Sequence, residues 1–102
     1  MNIYSFNSDT LIQEEVDVLE LVGVEFSHQL VVYNDDVNTF EWVIETLIEV
    51  CGHSTEQAEQ CAVIIDSKGK YAVKQGSYDI LKPQCDAITE RGINATIEVV
   101  AN

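Results

Sequence analysis

Helix punctuation constrains this chain more than any other feature. Asn38, Ser54 and Ser77 each precede a run of apolar residues at helical spacing, and Gly52, Gly69 and Gly92 follow those runs. Asn38 with Glu41, and Ser54 with Gln57, have the spacing of capping boxes, in which paired side chains satisfy backbone N–H groups at a helix start. Phe40, Val43, Ile44, Leu47, Ile48 and Cys51 recur on one face of the first helix. Ala58, Cys61, Ala62 and Ile65 do so on the second, and Leu81, Cys85 and Ile88 on the third. Pro83 lies too far inside the third helix to be a first-turn proline. It is expected to bend the helix or to set residues 78–81 apart as a tight turn.

The segments between these helices read as strands. Gln29–Tyr33 is β-branched and aromatic and ends at Asn34-Asp35-Asp36. Tyr71 and Val73 alternate with Ala72 and Lys74, after the turn at Lys68-Gly69-Lys70 and before Gly76. Ala95, Ile97 and Val99 alternate with Thr96, Glu98 and Val100. The order β-α-α-β-α-β predicts an α+β fold, a two-layer sandwich with a three-stranded antiparallel sheet packed on three helices. A chain of 102 residues suffices for one such domain. Residues 1–25 fit neither period cleanly: Asp9 suits a helix cap, while Val16-Asp17-Val18 hints at strand. They are read as an acidic N-terminal extension, mobile at least at its tip, ahead of a core domain over residues 26–102.

Charge narrows the function classes. The net charge is −13, and 14 of the 18 acidic residues precede Lys68, the first basic residue. Nucleic-acid phosphates and anionic membranes both demand Lys and Arg, so neither is expected as a partner. The polarity either orients the chain towards a partner or serves solubility. Residues 1–10 lack the basic start and apolar stretch of a signal peptide, which points to the cytosol. Cys51, Cys61 and Cys85 form no C-x-x-C and fall at apolar helical positions, so they are expected as buried reduced thiols.

Asn34-Asp35-Asp36 is the densest polar cluster beside a helix start. Turn-forming and capping roles explain such residues without any ligand. A divalent-metal or acid–base site using Asp35, Asp36 and Asp66 is the enzymatic alternative, yet His28 and His53 stand in unrelated contexts and no nucleophile, phosphate-loop or zinc motif is present. No cofactor or metal is expected, nor is catalysis.

The string Tyr33-Asn34-Asp35-Asp36-Val37-Asn38-Thr39-Phe40-Glu41-Trp42-Val43-Ile44 resembles the signature of the Clp protease adaptor family ClpS. The likeness continues through Gly69-Lys70 to Ala95-Thr96-Ile97-Glu98. It implies a monomeric adaptor that binds proteins bearing a bulky hydrophobic N-terminal residue, an N-degron, and hands them to an AAA+ Clp unfoldase. By that resemblance Asn34, Asp35 and Asp66 contact the substrate's α-amino group and first peptide unit. Asn38, Phe40, Val43, Ala62, Ile65 and Ile93 line the side-chain pocket, and Asp79, Lys82 and Gln84 form the unfoldase-docking surface. Three departures stand out: Asp66 replaces a usual His, Phe40 and Ala62 stand where Met is common, and Gln84 occupies a basic position. Asp66 and Asp35 in one empty site would repel, which is expected to raise the pKa of one of them. A non-catalytic interaction domain of the same shape with a different partner is the other reading.

Overall fold

The computed structural model describes residues 27–100, so the extension expected over residues 1–25 lies outside the described residues. The elements are β1 (His28–Tyr33), α1 (Phe40–Cys51), α2 (Thr55–Lys68), β2 (Lys70–Gly76), α3 (Tyr78–Glu90) and β3 (Ala95–Val99). The predicted order and the α+β class are both present. β1 runs up the middle, antiparallel to β2 on one side and β3 on the other. That position explains its composition: Leu30, Val31 and Val32 are all buried, as a central strand requires.

The register of β1 against β2 shifts between Leu30 and Val31, leaving Val73 as the extra residue. A bulge leaves its residue outside the ladder. Here His53 Nε2 donates to the Val73 carbonyl at 2.9 Å, so the freed acceptor on this edge strand is covered by a side chain.

The core collects Leu30 and Val32 from β1, Leu47 and Cys51 from α1, Ala58, Cys61 and Ile65 from α2, and Leu81, Cys85 and Ile88 from α3. Each large apolar side chain among them adds about 1.5–3 kcal/mol by leaving water. The three thiols are free and buried, as the sequence predicts. Burial raises all three thiol pKa values, that of Cys51 to about 11.

Helix starts follow the sequence at two of three places. Ser54 and Gln57 form the reciprocal capping box of α2, and Ser77 accepts from the Ile80 N–H at the head of α3. At α1 the cap is Thr39, whose hydroxyl accepts from the Trp42 N–H at 3.0 Å, one residue later than expected. Asn38 instead gives its side-chain Nδ2 to Asp35 and to the Gly92 carbonyl. Pro83 sits within a helix assigned without interruption from Tyr78 to Glu90. Its missing N–H leaves unpaired only the carbonyl of Asp79, an exposed residue that water reaches.

Candidate functional site

The site begins where β1 ends. The Tyr33 N–H donates to the Asn94 carbonyl and the Asn34 N–H to the Gly69 carbonyl, each at 2.9 Å. The strand exit is thereby pinned between the turn after α2 and the segment before β3. Gly69 closes α2 in the left-handed region (φ 94°) with its own N–H on the Ile65 carbonyl. One glycine thus fixes the last turn of α2, with Ile65 and Asp66, beside Asn34.

Beyond Asn34 the chain wraps around the Asp35 carboxylate. Asp35 Oδ1 accepts from the Val37 and Asn38 backbone N–H groups, and Oδ2 from Asn38 Nδ2, all at 2.8 Å. Asn38 Nδ2 also donates to the Gly92 carbonyl at 2.9 Å. Both neighbours of that nitrogen are acceptors, so the amide orientation is determined and Asn38 Oδ1 remains an acceptor. These donors hold the Asp35 pKa below its ordinary value of 3.8; the Asn38 backbone N–H contributes most, then its side-chain amide, then the Val37 N–H. The repulsion expected between the two aspartates therefore does not set the Asp35 pKa. Hydrogen bonds to the charged form decide its direction.

Asn34, Asp35, Asn38, Thr39, Phe40, Val43, Ala62, Ile65 and Asp66 line a single hollow of about 80 Å³. Ala62 and Ile65 are buried and form its floor, whereas Asn34, Asp66 and Phe40 reach the surface. Oxygen acceptors and apolar carbon therefore meet in one small cavity. Ile93 does not line it. The Ile93 N–H turns back to the Ile88 carbonyl, and the side chain is 2% exposed. It borders a neighbouring hollow that shares the Asp35 wall. Among the described residues no group of three or more His, Cys, Asp or Glu is placed to hold a metal, so Asp35, Asp36 and Asp66 do not form the metal cluster of the enzymatic alternative.

The residues assigned to docking lie on the first turns of α3. Asp79 is exposed, and Lys82 Nζ pairs with Asp86 Oδ1 at 2.7 Å. Gln84 turns its Oε1 inward, where among the described residues it has no hydrogen-bond partner.

The family described as ATP-dependent Clp protease adaptor protein ClpS matches residues 25–96, well over half of the chain. The chain belongs to this family. ClpS2 of Agrobacterium tumefaciens, solved bound to L-phenylalaninamide, has the same fold, with a TM-score of 0.64 over 74% of this chain and 100% of that one. At 22% identity the likeness to ClpS2 speaks for the fold alone. No curated protein matches the chain in sequence.

The ClpS match spans every residue of the hollow and the head of α3. Sequence reasoning missed Thr39, although a hydroxyl residue just before the first apolar helical position was a visible signal. It also passed over Tyr78 and Ile80, which expose apolar surface beside Asp79. Their signal was being apolar outside the register of Leu81, Cys85 and Ile88.

Proposed function

We propose that this chain is a non-catalytic adaptor that captures the bulky hydrophobic N-terminal residue of a substrate protein and delivers it to an AAA+ Clp protease in the cytosol. One observation carries the reading: acceptor oxygens and an apolar floor share a cavity the size of a side chain. An α-ammonium needs several acceptors and negative charge. Asn34, Asp66, the remaining lone pair of Asp35 Oδ2 and Asn38 Oδ1 supply them, with charge-assisted bonds contributing about 1.5–3 kcal/mol each. Phe40, Val43, Ala62 and Ile65 receive the side chain, which adds about 1.5–3 kcal/mol for a Leu-sized group. Amine capture holds any free chain start, and the apolar floor selects among them.

Size matters too. A cavity of 80 Å³ is well below the roughly 150 Å³ that accommodates a benzene ring. A ring-bearing first residue requires Phe40, 40% exposed at the mouth, to change rotamer. Delivery falls to the head of α3, where Asp79 and Lys82 offer charges of both signs; Gln84 contributes only if its amide turns outward. Family membership supports a Clp protease as the partner.

The test is titration of the full chain with short peptides beginning with Leu, Phe or Ala, each with a free and an acetylated N-terminus. Binding of the free Leu and Phe peptides, weak for Ala and lost on acetylation, is expected. Equal binding of acetylated peptides would remove the mechanism.

A further inference from the structure

The second hollow is larger than the first, about 380 Å³, and is lined by Asp35, Val37, Thr89, Gly92, Ile93 and Asn94. Asp35 lines both cavities, so the two hollows adjoin at this residue. Apart from Asp35 the walls are uncharged. Val37 and Ile93 are apolar, and the Thr89 hydroxyl is already engaged by the Asp86 carbonyl, to which it donates at 2.9 Å. Gly92 takes a left-handed backbone (φ 86°), which favours glycine at this wall.

Val37 is the telling residue. Its side chain is 87% exposed, yet its N–H is held on Asp35 Oδ1 at 2.8 Å. A lone exposed apolar residue needs no explanation. One whose backbone is fixed by the carboxylate of the residue that both hollows share is a preorganised wall, and a ligand resting on it loses little ordering entropy to the protein.

We infer that this hollow is a second subsite, which takes the side chain of the substrate's second residue and favours an apolar one. The inference rests on the degron reading. A chain start held at Asp35 with its first side chain in the smaller cavity has its next Cα about 3.8 Å away. In an extended chain successive side chains point to opposite sides. The second hollow adjoins the first at Asp35 and is the open volume next to it.

The experiment titrates the full chain with two free-amine peptides that begin Leu-Ser and Leu-Leu and share a polar remainder. Half-burial of the second Leu is expected to make the Leu-Leu peptide bind about five-fold more tightly. Val37→Ser, at a position too exposed to unfold the domain, is expected to shrink that ratio towards one; its thermal unfolding checks the fold. Equal affinities in the unmodified protein, with both peptides bound, would overturn the subsite and leave the degron reading standing. A preference that persists undiminished in Val37→Ser would also overturn it. Failure of both peptides to bind would overturn the degron reading itself and the subsite with it.

Discussion

Asp35 already accepts three hydrogen bonds from its own loop. Its role is to be charged and rigid, and it has one acceptor position left for a ligand. Asp66 differs: among the described residues no hydrogen bond or ion pair engages its carboxylate. In the proposed reading it supplies the mobile half of the ammonium grip. Asp66→Asn preserves size and an acceptor but removes the charge, and is expected to weaken binding of a free-amine Leu peptide about tenfold. The pH profile carries the same signature. Affinity is expected to fall above about pH 8 as the peptide amine deprotonates, and at the acid end only as pH falls through the depressed Asp35 value. Undiminished binding by Asp66→Asn would show that Asp66 is not in the grip. Stability follows Asp35 in the same sense. Its folded pKa is depressed from 3.8, so its contribution is present above about pH 4 and is lost as pH falls through the folded value.

At the scale of elements, the polar part of the site is held by the ends of helices, while faces of α1 and α2 supply its apolar floor. Gly69 ends α2 and receives Asn34; Gly92 follows α3 and receives Asn38. Trp42 Nε1 donates to the Arg91 carbonyl at 3.1 Å, and the Arg91 side chain lies 5.4 Å over the Trp42 ring while pairing with Glu49 at 2.8 Å. The end of α3 is therefore fastened to α1 through Trp42 and Glu49, and to the loop before α1 through Asn38. Gly69→Ala isolates the backbone part of this arrangement. The new Cβ meets nothing within 4 Å, so its cost is the left-handed backbone and not a clash. About 1–2 kcal/mol is expected, seen as a melting temperature lower by roughly 5–10 °C. An unchanged melting temperature would mean that the turn relaxes without strain. The Ser54 capping box was legible because both partners lie within four residues. The Asn38 assignment was not, because its decisive acceptor, Gly92, is 54 residues away.

For the whole molecule, the proposed capture and delivery roles fall on different parts of the chain. The hollow draws on α1, α2 and the loop after β1, while docking is assigned to the head of α3. Residues 1–25 belong to neither list. Removing them is expected to leave peptide affinity unchanged and to slow degradation of a Leu-first substrate by the Clp protease. Degradation at the full rate by the truncated chain would assign delivery to the core domain alone.

The sequence by itself determined the elements, their order and the chemistry available at each end. Caps, stops and apolar periods are local, and backbone hydrogen bonding enforces them within a few residues. It did so for Ser54, Ser77, Gly52 and the central strand, and not for Thr39 or the continuity of α3 through Pro83. Family resemblance named Asn34, Asp35, Asp66 and their apolar companions. Only the tertiary structure decided that Ile93 lines the second hollow and not the first, that Asn38 clamps instead of capping, and that Val37 stands fixed beside that second hollow. Those outcomes depend on contacts between residues far apart in the chain, where the nearest free acceptor or open volume, and not local propensity, sets the partner.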